Sequence, residues 1–416
     1  MTNRRLQSGL PYYVFVFFSI LLIVLNPYTI YGKPGVIFAG IFAFYSIING
    51  MKKSFFMNFV VPTLLLLTIA TFGALSSNIN NIPQINHPLT VVALLIMILA
   101  ANGVFLYCEK KNISIDDFLL LVLLVVVLNS VIILLELQFD SFRSFIEGYL
   151  DPISGGSINY AEGYRLRGLA SSGGAGLSIS IPAALIIALH LFDRDRLNFV
   201  FLLILFLILL ASVVVIGRTG IVLLIIPVSM YLLLLLFRRN KRHTILKTLF
   251  FVLIPLLIVA PLFYQYMSDF FSQMFGDSFV KYSVGFLLDG ISGLEEEGTV
   301  GVMAEFIKVL PMEFPQALTG YGFYGGSDFY PWTDAGFNRT FLSVGFLFGS
   351  IFYVMVFYMY LLPFRINKYL IGTFVLVLTV AEIKEPLLFS GVASRMFILI
   401  LVYYYCGNKY LKTTKI

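Results

Sequence analysis

Five arginines stand where apolar sequence begins, ends or is interrupted: Arg165, Arg167, Arg218, Arg339 and Arg395. A guanidinium is permanently charged and presents a planar fork of donors that fits phosphate oxygens two at a time. Together they suit a phosphate or pyrophosphate group met at the level of a membrane surface. Asp334 lies five residues before Arg339, with Trp332, the single tryptophan of the chain, two residues further upstream. A carboxylate beside an aromatic face suits a general base working on a sugar hydroxyl, and it equally suits a helix cap or a loop turn. Glu295, Glu296 and Glu297 are second choices, read first as a solvated acidic run. Gly320-Tyr321-Gly322-Phe-Tyr-Gly325 repeats the spacing of a dinucleotide fingerprint without its strand–turn–helix setting, and is read as a loop turn. Asp193-Arg-Asp195 is a solvated cluster at a helix end. His87 is read as an interfacial residue, and the three histidines and two cysteines have no metal-ligand spacing. No metal and no cofactor is expected.

What positions these residues follows from composition. Of 416 residues, 59% are hydrophobic and 12% charged, and the mean hydropathy is +0.93. A water-soluble chain this apolar could not cover its own surface, so the surrounding medium is lipid and the chain is a polytopic membrane protein. A cytosolic enzyme, a nucleic-acid binder and a disulfide scaffold are excluded. About 20 apolar residues cross the hydrocarbon, and twelve stretches qualify: 11–31, 35–51, 56–75, 88–107, 117–136, 173–192, 197–216, 219–237, 245–266, 339–362, 366–384 and 387–406. The first is read as a span rather than a cleaved signal. The last two are interrupted by Glu382, Lys384, Glu385 and Arg395. The expected fold is all-α, one transmembrane domain over 1–416 with about twelve helices.

Placing both termini in the cytoplasm puts 18 of the 28 Lys and Arg residues on the inner side, the positive-inside pattern. Two long connections then lie outside, 137–172 and 267–338, and would cover the site. The second holds ten carboxylates against Lys281 and Lys308, with amphipathic helices expected over Phe270–Phe279 and Val300–Leu310. The five arginines fall on this outer side, against the prevailing charge bias. Arg395, eight residues into the last span, is expected about 12 Å inside the bilayer, where a cation is costly and marks a polar path.

Residues 163–176 read Gly-Tyr-Arg-Leu-Arg-Gly-Leu-Ala-Ser-Ser-Gly-Gly-Ala-Gly and open the sixth span. Small residues there leave backbone N–H groups open to anions or allow close helix packing. With large outer connections and Arg-Gly-rich openings, the chain resembles the Wzy-type O-antigen or polysaccharide polymerases, a family akin to the O-antigen ligases. The arginine, ten residues, glycine pattern of that family is met by Arg165 and Gly176, whereas Arg339 is followed by Gly349 after nine. Gly217-Arg218-Thr219-Gly220, Gly320-Tyr321-Gly322 and Asp334-Ala-Gly336 continuing to Gly349 carry the rest of the likeness. The resemblance implies a metal-independent glycosyltransferase of the bacterial inner membrane in lipopolysaccharide or capsular polysaccharide biosynthesis. It would move a growing chain from undecaprenyl pyrophosphate to a lipid-linked repeat unit. Asp334 and Arg339 would be catalytic; Arg165, Arg167, Arg218, Arg395, Gly176, Tyr321 and Trp332 would bind substrate; a chain-length regulator would be a partner protein. An O-antigen ligase and a flippase or other transporter are the alternatives. The related ligases use a histidine in the large outer loop, and 267–338 contains none.

The orientation is tested by cysteine labelling. In intact spheroplasts an impermeant thiol reagent is expected to modify a cysteine placed at Ser292, and to reach one at Asn240 only after lysis. The reverse result would invert the topology.

Overall fold

The computed structural model describes residues 2–80, 84–150, 166–171, 173–237, 309–311, 313–325, 333–388 and 391–413. Among these the fold is all-helical, with only isolated β-bridges at Thr29. The helices in chain order are α1 Thr2–Leu25, α2 Pro34–Ile48, α3 Lys53–Ile79, α4 Asn86–Lys110, α5 Ile115–Gln138, α6 Asp140–Tyr149, α7 Ala175–Asp193 and α8 Phe199–Ile216. After them come α9 Arg218–Leu223, α10 Ile225–Phe237, α11 Gln316–Thr319, α12 Gly336–Leu361, α13 Lys368–Glu382 and α14 Gly391–Thr413. Six of them (α3, α4, α5, α7, α8 and α12) are long and apolar enough to cross a membrane. Eleven of the twelve expected spans fall on helices, and the twelfth, 245–266, lies outside the described residues. So do the expected amphipathic stretch Phe270–Phe279 and nearly all of Val300–Leu310. Phe44, Ile48, Val200 and Val354 are more than half exposed, as lipid-facing side chains of a helical membrane protein are.

The connections assigned to the inner side meet at one end of the bundle. Tyr13 donates to Asp117 over 3.3 Å, and Asp116 pairs with Arg194 at 3.2 Å and Arg196 at 3.3 Å. Asn367 bonds the His190 ring and Tyr404, each at 3.2 Å, and Tyr403 donates to the Ile113 carbonyl over 2.6 Å. Three helices rising from this end are capped by side chains: Ser114 accepts from Asp117 N, Asn198 from Phe201 N and Asn367 from Leu370 N, whereas α3 starts without a side-chain cap. At the opposite end, Ser171 N donates to the Leu25 carbonyl, Asn80 to Tyr321 O and Lys384 to Thr219. Helices α2, α4, α7, α9 and α12 start there, none with a side-chain cap at its N-cap residue, and the first turn of α9 is met instead by Ser178, whose Oγ accepts from Gly220 N over 3.1 Å.

Helix α12 is broken. Gly345 has φ 74° and ψ 174°, outside helical space, so carbonyls of the preceding turn lose their partners. In hydrocarbon each such group would cost several kcal/mol. The segment after α11 meets the need: Tyr321 N donates to Leu342 O over 2.7 Å and Gly322 N to Ser343 O over 3.1 Å. A Cβ on Gly345 would lie 2.1 Å from the Leu318 carbonyl oxygen, so only glycine permits both the positive φ and the close approach.

Gly345→Ala is therefore expected to destabilise the protein by about 1–3 kcal/mol or more, read as a lower melting temperature in detergent. Gly40, in α2 with open space around its Cα, is the control, and Gly40→Ala should be neutral or stabilising by up to about 1 kcal/mol. Equal melting temperatures for the two variants would contradict the role given to the break.

Candidate functional site

The segment 320–325 is docked between α3, the start of α4 and the break in α12. Asn80 Nδ2 donates to Tyr321 O over 2.9 Å, and Gln84 clamps the far end, donating to Gly325 O over 3.1 Å and accepting from Tyr324 N over 2.9 Å. A Cβ on Gly322, whose φ is +88°, would fall 2.0 Å from Ser77 N. The glycines thus serve backbone contact, which fits a turn rather than a nucleotide cradle. His87 is not interfacial but 2% exposed. Its Nδ1 lies 2.9 Å from Ser343 Oγ and its ring stacks on Tyr324 at 4.3 Å. It holds the clamp against the break. Burial and, after it, the charge of Glu382 push the Tyr324 hydroxyl well above the ordinary tyrosine range, so it stays protonated.

Arg339 occupies the first turn of α12. Its Nη2 donates to Asp334 Oδ1 over 2.6 Å and its Nε to Thr333 O over 2.8 Å. Gly325 leaves it room, since a Cβ there would stand 2.8 Å from Nη1. The pair is open to one side, with the Arg339 side chain 21% and the Asp334 side chain 45% exposed. A cation at the positive end of a helix dipole is disfavoured unless an anion compensates it, and Asp334 supplies one. Asp334 is thus the counter-ion of Arg339, a constraint that the spacing of five residues did not reveal. Behind the pair, Tyr353 Oη lies 3.0 Å from Thr340 Oγ1, 3.1 Å from Gly336 O and 2.9 Å from Glu382 Oε1. Glu382 Oε2 accepts from Leu388 N over 2.6 Å.

Tyr321, Asp334 and Arg339 are thus gathered around the opening and the break of one helix. Arg167, Gly176 and Arg395 gather elsewhere at the same end of the bundle. Arg167 is 2% exposed; its carbonyl accepts from Asn129 Nδ2, and the next residue, Gly168, donates to the buried carboxylate of Glu136. Arg395 Nη1 donates to the Val24 carbonyl over 3.1 Å. Because α14 starts at Gly391, Arg395 sits four residues into its helix rather than eight. A Cβ on Gly176 would only touch Leu387. The backbone of Arg218 opens α9, next to Thr219, which accepts from Lys384 Nζ over 2.8 Å. The side chain of Arg218, and Arg165 and Trp332 altogether, lie outside the described residues, as do Glu295, Glu296 and Glu297. Among the described residues no cluster of His, Cys, Asp and Glu could hold a metal ion.

Sequence reasoning missed His87, Tyr324, Tyr353, Glu382 and Lys384 as parts of this end. Glu382 and Lys384 were visible only as interruptions of an apolar span, which is itself the mark of a working position.

The arrangement offers a forked cation next to a carboxylate and an aromatic segment, fit to hold an anion and to accept a proton. Arg339→Lys keeps the charge and loses the fork, so inorganic pyrophosphate should bind more weakly than to wild type, and more weakly still to Arg339→Ala. One charge-assisted hydrogen bond is worth about 1.5–3 kcal/mol, roughly 10–150-fold. Equal affinities by isothermal titration would exclude Arg339 as an anion ligand. No protein-family model, no curated protein and no solved structure matches this chain.

Proposed function

We propose that the chain polymerises lipid-linked oligosaccharide repeat units at the outer face of a bacterial inner membrane. The growing chain would pass from undecaprenyl pyrophosphate to a single lipid-linked repeat unit, in O-antigen or capsular polysaccharide synthesis. The observation that carries this reading is the Arg339–Asp334 pair at an uncapped helix opening. Arg218 and Arg395 stand at the openings of two more helices of the same end. Arginines placed against positive helix ends make a rim that is relieved by an anion. At the headgroup level, a pyrophosphate on a lipid is such an anion.

In this mechanism an acceptor hydroxyl oxygen attacks the anomeric carbon of the donor sugar. The bond from that carbon to the pyrophosphate oxygen breaks, and the electron pair leaves with the pyrophosphate. Arg339 stabilises the charge that develops on it, while the hydroxyl proton passes to Asp334. Pyrophosphate binding draws Arg339 away from Asp334 and so frees the carboxylate as a base. The donor is already activated, so no nucleotide takes part. A chain-length regulator is the partner this reaction calls for, and both chain ends lie in the cytoplasm.

A second reading is a transporter of lipid-linked oligosaccharides, favoured by the break in α12, since discontinuous helices line the binding sites of many transporters. One experiment separates the two. Purified protein in nanodiscs, given lipid-linked repeat units alone, is expected to build a ladder of longer chains, which no transporter can do. Asp334→Asn keeps the shape and the hydrogen bond to Arg339, and should slow elongation by about 10²–10⁴-fold. Wild-type protein without a ladder would refute the polymerase, and Asp334→Asn at the wild-type rate would remove Asp334 as the base.

A further inference from the structure

Glu382 ends α13 with 0% exposure, in a chain where a buried carboxylate costs several kcal/mol unless its oxygens are satisfied. Both are, Oε1 by Tyr353 and Oε2 by Leu388 N. The partners are not scattered. Tyr353 also reaches Gly336 O and Thr340, the residues flanking Arg339 in the first turn of α12. Gly336 approaches so closely that a Cβ on it would lie 2.4 Å from Glu382 Oε1. Arg339 and Glu382 are near enough to act on each other electrostatically.

Tyr353 has one hydrogen to give and three oxygens around it. While Glu382 is ionised it is the strongest acceptor, so Tyr353 then donates to it and can accept from Thr340. The direction of every bond in this knot is then set by the carboxylate charge, and the knot fixes the turn that aims Arg339.

We propose that Glu382 is a positioning residue for Arg339, acting through Tyr353 and Thr340 on the first turn of α12, and that its charge restrains the hold of Arg339 on pyrophosphate. The proposal rests on the reading of Arg339 as a pyrophosphate ligand. Glu382 itself accepts no substrate proton, since it is fully buried and no substrate reaches it. The restraint has a use in a processive reaction, because a pyrophosphate held too firmly would stall release of the spent lipid carrier.

The substitution Glu382→Gln tests it. The amide oxygen must face Leu388 N, so the NH2 group faces Tyr353 and turns the tyrosine hydrogen to Gly336 O, with the shape unchanged. Removing one negative charge near the guanidinium should tighten undecaprenyl pyrophosphate binding by about fivefold. The misaimed arginine should lower kcat for elongation by about 10–100-fold. Both are to be read at a wild-type melting temperature. A merely structural role would weaken binding and turnover together. Unchanged or weaker binding, or unchanged kcat, overturns the proposal. If Glu382→Gln fails to fold, Tyr353→Phe serves, with kcat lowered and binding unchanged because the charge remains; wild-type kcat in that variant overturns the proposal. Wild-type protein that elongates nothing would refute the polymerase reading alone, because the binding shift in Glu382→Gln still decides the role of Glu382.

Discussion

Backbone polar groups inside a bilayer have no water to fall back on. When α12 breaks at Gly345, its freed carbonyls therefore have to be met by protein. The N–H groups of Tyr321 and Gly322 meet them, which draws the segment 320–325 into the bundle. Everything around the candidate site depends on that closure. Gln84 and Asn80 hold the inserted segment from α3 and the start of α4, His87 stacks against it, and Gly325 comes to rest on the guanidinium of Arg339. Residues far apart in sequence, 80–87, 320–325 and 334–345, become one structure because two carbonyl oxygens needed donors.

The second constraint is electrostatic. Helices rising from one end of the bundle begin with Ser114, Asn198 and Asn367 as caps. Helices α2, α4, α7, α9 and α12, which start at the other end, have no side-chain cap, and α9, α12 and α14 carry Arg218, Arg339 and Arg395 in or near their first turn.

The all-helical membrane fold was legible in the sequence, because apolar run length is a local signal that lipid makes strict. That Asp334 and Arg339 form an ion pair was not legible, because a spacing of five residues does not fix it. The rest depended on tertiary closure. Nothing local announces that Gly345 leaves helical space while Gly40 does not, since both are single glycines in apolar runs. His87 looked interfacial because its neighbours are polar, yet its burial is created by Tyr324, more than two hundred residues away. Glu382 weakened the case for a span by composition, whereas its cost is offset by Tyr353 and Leu388 N, partners that only packing supplies. The last helix begins at Gly391 rather than at 387, a boundary that hydropathy alone could not place.

The account centres on the opening of α12 as the place where a lipid-borne pyrophosphate is held. Cryo-electron microscopy of the protein in nanodiscs with undecaprenyl pyrophosphate tests this most directly. The predicted map has diphosphate density within hydrogen-bond distance of the Arg339 guanidinium, with the Asp334 carboxylate released from it. Diphosphate density at the opposite end of the bundle, among Arg194, Arg196 and Asn367, or an intact Arg339–Asp334 pair beside an occupied site elsewhere, would contradict it.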